Sequence, residues 1–279
     1  MNIEIKQISS LEKVKLKENP EFIEKNSRKA VAGERINYQI TIKSDTYSHT
    51  EVTLESPFGD AVRVYSVKEV VCDTAYTSPD AENDGYLLNG PGMIPDVLVP
   101  MEEQNWRITL KEKRTHSLFV SVDVPEDAKA GKYEIKVKLA AATISVGAQP
   151  DTFVEAVYTI DVIPAVMPEQ TLIYTRWFYA DCIAVYHNLE IYSEKHWEYI
   201  EKYINEAVRT GQNMILVPVH TPPLDTEIGT ARPCVQLVDI EKTENGYKFG
   251  FERLERFIAL AERCGMKYYL LRLHHHAAV

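Results

Sequence analysis

From about residue 30 to residue 165 the chain alternates apolar and polar positions in short runs. Clear examples are Ile36-Asn37-Tyr38-Gln39-Ile40-Thr41-Ile42, Val62-Arg63-Val64-Tyr65, Ser117 to Val122 and Tyr133 to Leu139. A period of two turns one face of each strand into a core and the other into water, so this half reads as an antiparallel β-sandwich. Between the last two runs, Pro125 and Gly131 fit a connection, one fixing φ and the other permitting a left-handed turn.

The rhythm changes near Pro164 and Pro168, which suit a stiff joint between two domains, 1–165 and 166–279. Beyond the joint the period becomes 3.6. Ser193 to Thr210 places Trp197, Ile200, Ile204, Ala207 and Val208 on one helical face, with Ser193 as N-cap and Gly211 at the left-handed C-terminal position. On this wheel His196 is read as pointing away from the stripe, into solvent. The run Asn213 to Val219 then resembles a strand buried on both faces of a parallel sheet. A second helix, about Phe251 to Cys264, carries Phe251, Leu254, Phe257, Ile258 and Ala261, and Lys267 to Leu271 reads as a further strand. Between them, Asn245-Gly246 marks a hairpin. Strand, helix, strand, helix, strand implies right-handed parallel crossovers. The fold class is therefore multi-domain, β plus α/β: a sandwich followed by the first units of an incomplete (β/α)8 barrel.

Composition narrows the function classes. The chain has 279 residues, 45% hydrophobic and 26% charged, with a formal net charge of −10. A chain that binds nucleic acid needs a surplus of Lys and Arg, so neutral or cationic partners fit better. No apolar run is long enough to span a bilayer, and the N-terminal residues lack the apolar stretch of a signal peptide, which makes a cytoplasmic location the expectation. Cys72, Cys182, Cys234 and Cys264 are widely spaced and read as buried thiols. His274, His275 and His276 are consecutive, so on a strand they alternate faces and cannot share one ion. No metal or cofactor is expected, and no Walker, GxGxxG or GxSxG pattern occurs.

Three segments at the expected strand ends carry the residue types that hold sugars: Arg176 to Asp181, His220 to Thr226, and Arg232 to Gln236. Aromatic faces stack on pyranose rings, and carboxylates and amides bind hydroxyls. Trp177, Tyr179, Asp181, His220, Asp225, Arg232 and Gln236 are the candidate substrate-binding residues. Five of them have a plainer reading. Trp177 could cap the core, Asp181 a turn, Asp225 and Arg232 could pair with each other, and His220 could orient its loop. Asp181, Asp225 and Glu227 are carboxylates on the appropriate face, but their spacing does not identify an acid and its partner.

Pro91 to Asp96, Trp177-Phe178-Tyr179-Ala180-Asp181-Cys182, and above all Thr221-Pro222-Pro223-Leu224-Asp225-Thr226 with Arg232-Pro233 and Val235 to Val238 resemble glycoside hydrolase family 123, the DUF4091 group of bacterial proteins. The likeness runs from about residue 30 to Tyr269. It implies a sandwich, a (β/α)8 barrel and a further β-domain. It also implies retaining cleavage of terminal β-linked N-acetylgalactosamine, in which the acetamido oxygen of the substrate attacks the anomeric carbon. The resemblance further implies an adjacent Asp-Glu pair that orients the acetamido group and supplies the acid. No Asp-Glu dipeptide occurs in this sequence, so no catalytic residue is assigned.

The chain after Pro168 is shorter than the roughly 250 residues of a complete barrel, and after Tyr269 it departs from the family pattern. The expectation is a fragment, inactive by itself, that self-associates through unpaired barrel strands. The glycan substrate is its expected partner. A non-catalytic carbohydrate-binding or scaffold protein is the alternative, and a small hydrolase using Asp181 and Asp225 directly is a third.

Overall fold

The computed structural model describes residues 1–17, 19–73, 90–145, 147–219 and 233–271. The chain divides into two compact units, Met1–Pro168 and Glu169–Val279. His220, Asp225, Glu227, Arg232 and His274 to His276 lie outside the described residues.

The described residues of the first unit form ten strands: β1 (Ile3–Ser9), β2 (Ser27–Ala32), β3 (Arg35–Ser44), β4 (Ser48–Glu55), β5 (Val62–Cys72), β6 (Gly92–Pro100), β7 (Arg107–Leu110), β8 (Thr115–Asp123), β9 (Gly131–Thr143) and β10 (Thr152–Val166). They form two five-stranded sheets, ordered β1-β3-β8-β5-β6 and β2-β10-β9-β4-β7. The inward residues of both sheets, among them Ile36, Ile40, Leu118, Val120, Ile135 and Ile160, form one continuous core. All four alternating runs seen in the sequence fall inside strands. The pairing departs from a purely antiparallel sandwich where β2 runs parallel to β10. Pro164, expected in an interdomain joint, lies within β10, where the register against β2 shifts between Val162 and Val166. A proline is tolerated at such an irregularity because it has no N–H for the ladder to use.

Tyr38 of β3 and Tyr158 of β10 link the two sheets, their rings stacked 3.9 Å apart and 7° from parallel. Tyr38 is 1% exposed, and among the described residues its hydroxyl has no hydrogen-bond partner. Burial holds the phenol far above its usual pKa. An unpartnered buried hydroxyl costs free energy that the ring's packing offsets.

The second unit contains β11 (Thr175–Arg176), α1 (Ala180–Tyr186), α2 (Glu194–Arg209), β12 (Met214–Val217), β13 (Asp239–Thr243), β14 (Gly246–Gly250), α3 (Glu252–Arg263) and β15 (Tyr268–Leu271). β11, β12 and β15 pair in parallel in that order. The described residues thus contain two successive strand-helix-strand units and no closed barrel. β12 is buried as expected, with Ile215 and Val217 inaccessible. Ser193 caps α2 by accepting the His196 N–H, and Gly211 and Gly265 take positive φ after α2 and α3. The hairpin β13–β14 forms with Glu244 and Asn245 in its turn and Gly246 opening the second strand. Phe251 is not on the buried face of α3. It is the N-cap residue and half-exposed, and Leu260 fills the core in its place.

The N-terminal end of this sheet is fastened by two side chains. The Asn213 amide accepts from Tyr174 N–H at 2.8 Å and donates to Leu172 O at 3.0 Å, while its backbone carbonyl receives the N–H groups of Lys267 and Tyr268. Gln212, 5% exposed, donates to Met214 O at 2.9 Å. Register is therefore set at one end of the strands, leaving the other end to carry loops. No helix among the described residues is long and apolar enough to cross a membrane.

Replacing Tyr38 by Phe is expected to raise stability by about 1 kcal/mol, and replacing it by Ala to lower it by about 3–5 kcal/mol. Urea midpoints of the full chain check both. A Phe variant that is clearly less stable than the parent would mean that the hydroxyl is partnered.

Candidate functional site

In an open parallel sheet, ligand-binding residues gather where the strands end, because the loops that leave those ends are not used in the sheet. Here that edge begins with Trp177, directly after β11. Trp177 is 54% exposed, and its ring meets that of half-buried Tyr179 edge-on at 6.1 Å and 65°. Two residues on, Asp181 sits in the first turn of α1 and is 3% exposed. The segment thus presents aromatic surface outward and keeps its carboxylate beneath. Gln236 is half-buried, and its amide donates back to Val238 O at 2.5 Å, a local bond that shapes the segment after β12. That segment is tied to the strand end by Leu237 N–H to Pro218 O at 3.0 Å and Val238 N–H to Val219 O at 3.2 Å.

The edge is held by a residue that the sequence reading placed in solvent. His196 is fully buried. Its Nδ1 accepts the Tyr192 N–H at 2.9 Å, and its Nε2 lies 2.9 Å from the Ala180 carbonyl. An N–H can only donate and a carbonyl can only accept, so the imidazole is the neutral Nε2–H tautomer. Burial depresses its pKa, outweighing the opposing pull of the Ala180 hydrogen bond and the Asp181 charge. The spacing carried this information: His196, Ile200 and Ile204 stand four apart, which puts the histidine on the apolar stripe.

Tyr192 takes up the next link. It has a left-handed φ of 58°, a conformation that costs energy for a bulky residue, and four contacts hold it there. Its N–H goes to His196, its hydroxyl donates to Val235 O, its ring stacks on Trp197 at 4.9 Å and 22°, and the Arg253 guanidinium lies 5.5 Å from the ring centroid. On the Trp197 ring, Arg256 sits 4.7 Å from the centroid and is doubly bonded to Glu194 at 2.7 and 2.6 Å. Desolvation raises the Tyr192 pKa well above its usual value, so the phenol stays a donor. The histidine and tyrosine together connect the start of α1, the start of α2 and the segment containing Gln236.

The expected buried thiols are not found: Cys182 and Cys234 are exposed, and Cys72 and Cys264 are half-buried. Cys182 follows from the helix geometry, since α1 buries Ala180, Asp181, Ile183 and Ala184 and turns the intervening position outward. Among the described residues no three His, Cys, Asp or Glu side chains converge as a metal would require.

The family model described as the glycoside hydrolase 123 catalytic domain matches residues 177–275, beginning at Trp177, and that described as the glycoside hydrolase 123 N-terminal domain matches residues 10–141. The chain belongs to glycoside hydrolase family 123. In fold this family 123 chain is similar to a solved family 123 glycoside hydrolase from Clostridium perfringens, from a structural study of glycolipid glycan hydrolysis. The two share 15% identity and a TM-score of 0.69, over 95% of this chain and 46% of that one. The chain thus spans less than half the length of that structure. Much weaker likenesses are to a C. elegans member of the MSP family (12% identity, TM-score 0.26, 50% of this chain and 93% of that one) and to a PapD-like domain of human CEP192 (9% identity, TM-score 0.27, 58% and 86%). No curated protein matches the sequence.

The lowered pKa of His196 sets a sign for its pH dependence. The unfolded imidazole, near pKa 6.5, takes a proton more readily than the folded one, so stability present above that value declines as pH falls through it. His196→Gln is expected to cost about 2 kcal/mol at about pH 7.5, and the gap to the parent is expected to narrow by about pH 5. Denaturation midpoints at the two pH values measure this. A gap that widens on acidification would contradict the neutral buried tautomer.

Proposed function

We propose that this chain supplies the glycan-facing strand ends of a retaining glycoside hydrolase that acts on terminal β-linked N-acetylgalactosamine. The observation that carries the reading is the pair of exposed Trp177 and half-buried Tyr179 at the end of a parallel strand, within a chain of family 123. Stacked on a galactose-type ring, two aromatic faces match its apolar C–H surface, while hydroxyls and the acetamido group remain for polar partners. Trp177 and Tyr179 are the substrate-contacting residues in this reading. His220, Asp225 and Arg232 are further substrate-side residues. Asp181 and Gln236 act as positioning residues, one beneath the aromatic pair and one within its own loop.

In the proposed reaction the acetamido oxygen of the substrate attacks the anomeric carbon, the glycosidic bond breaks with the proton of a carboxylic acid passing to the leaving oxygen, and water then opens the cyclic intermediate with retention. Such chemistry needs an acid at the leaving oxygen and a carboxylate at the acetamide. The buried Asp181 is poorly placed for either, and the sequence contains no Asp-Glu dipeptide. The proposal is therefore that this chain binds the sugar and that turnover needs carboxylates beyond those described. The parallel order β11-β12-β15 suits the opening of a (β/α)8 barrel, in which a further strand would pair with β15, whose Leu270 and Leu271 are 40% and 56% exposed.

A second reading, a non-catalytic glycan-binding protein, is favoured by the burial of Asp181. Release of p-nitrophenol from its β-N-acetylgalactosaminide, by this chain and by its fusion to the later barrel strands of a family 123 relative, measured alongside calorimetric binding of an oligosaccharide ending in β-linked N-acetylgalactosamine, separates the readings. The first expects binding without turnover by the chain and turnover by the fusion, and the second expects no turnover by either. Trp177→Ala is expected to weaken binding about ten-fold, the equivalent of about 1.4 kcal/mol. Equal binding by the Ala variant would remove Trp177 from the site, and turnover by this chain would place the catalytic acid within it.

A further inference from the structure

The chain as a whole is acidic, yet one cleft in the first unit has the opposite charge. It encloses about 970 Å³ and is lined by five cationic side chains, Lys15, Lys17, Lys111, Lys113 and Arg114. Two carboxylates share the lining, and both are engaged: Glu69 accepts the Leu16 N–H at 2.8 Å, and Glu112 pairs with Lys113 at 3.1 Å. Among the described residues no carboxylate pairs with Lys17, Lys111 or Arg114. Five cations against two carboxylates leave the lining with a net positive charge inside a protein of net charge −10.

The backbone fixes these cations where they are. Lys111 to Arg114 form a tight turn closed by Arg114 N–H to Lys111 O at 3.2 Å and pinned by Lys113 N–H to Ser44 O at 3.1 Å. Lys113 has a left-handed φ of 56° in that turn. On the other side, Leu16 is held through both backbone groups, its N–H on Glu69 and its carbonyl on Thr115 N–H at 3.1 Å, which anchors the flanking Lys15 and Lys17. The ring of Tyr47, 47% exposed, and the Met93 side chain, 44% exposed, supply apolar wall. Like-charge crowding extends behind the lining. Desolvation and then Lys111 hold Lys68 below its ordinary pKa. Desolvation, Lys68 and Lys111 push His116 down to about 4, and its neutral Nε2 accepts the Lys111 N–H at 2.9 Å.

We propose that this cleft is a second glycan-binding site, separate from the strand ends of the second unit, that takes the sulfate or carboxylate groups of an acidic saccharide. A backbone that already gathers these residues on one face leaves only their side chains to be ordered round an anion. A volume of this size accommodates a few sugar rings, and Tyr47 offers one of them a stacking face. A long nucleic acid is disfavoured by the net negative charge of the rest of the chain. A sugar chain is the polymer that a family 123 protein meets.

The test uses the full chain at fixed moderate salt, with four probes: a chondroitin sulfate hexasaccharide, a neutral chitin hexasaccharide, inorganic sulfate, and phosphatidylserine vesicles. The hexasaccharide sulfate is expected to bind at least about ten-fold more tightly than inorganic sulfate. Lys111→Gln with Arg114→Gln is expected to weaken it by at least about ten-fold with an unchanged melting temperature, and the single variants Lys17→Gln and Tyr47→Ala by a few-fold. Four outcomes overturn the proposal: no binding, equal binding of the neutral hexasaccharide, binding unaffected by these variants, or vesicles that compete fully with the saccharide. Sulfate binding as tightly as the oligosaccharide would reduce the cleft to an adventitious ion only.

Discussion

A buried imidazole without a charge holds the second unit's strand ends together. His196 can accept from Tyr192 and donate to Ala180 at once only while it carries a single proton, and both bonds lie where water cannot replace them. Through the first it fixes a tyrosine in a left-handed conformation that the chain would otherwise avoid. Through the second it fixes the residue that begins α1, one position before Asp181 and three after Trp177. The aromatic pair at the edge is thus positioned by a histidine on the neighbouring helix, and α1, with seven residues, is too short to be stable by its own propensity.

The rest of the support is aromatic and cationic rather than aliphatic. Arg253, Tyr192, Trp197 and Arg256 follow one another in one stack, the two rings between the two guanidinium groups, with Glu194 closing the outer end. Both arginines belong to α3, so the helix that follows the hairpin is clamped to the start of α2. Most of this stack's stabilisation comes from burying the two rings, because the outer ion pair is exposed and worth little alone. The first unit solves a different problem. Its sheets share an apolar core that includes the Tyr38 hydroxyl, unpartnered among the described residues, while its surface gathers cations into one cleft despite the overall acidity of the chain.

Much of this was legible in the sequence where one period dominated. The sandwich strands announced themselves by alternation, and α2 by its cap, its stripe and Gly211. Sequence and structure differ where residue type points one way and place in the pattern another. The type of His196 suggests solvent, yet it stands in step with Ile200 and Ile204. Cysteines are often buried, yet Cys182 occupies the outward position of α1. Prolines interrupt strands, yet an irregular stretch of β10 accommodates Pro164. The hydrogen bonds of Tyr192 left no trace in periodicity, since a loop tyrosine is defined by its tertiary partners. Trp177 stands out in the sequence because folding alone does not require an exposed tryptophan at a strand end.

The ring-nitrogen resonances of His196, in a long-range proton–nitrogen correlation spectrum recorded as a function of pH, show whether a neutral buried histidine organises these strand ends. One protonated nitrogen, Nε2, and one hydrogen-bonded acceptor, Nδ1, are expected, with titration below the ordinary histidine value of about 6.5. Titration at that ordinary value, or a proton on Nδ1, would contradict that arrangement.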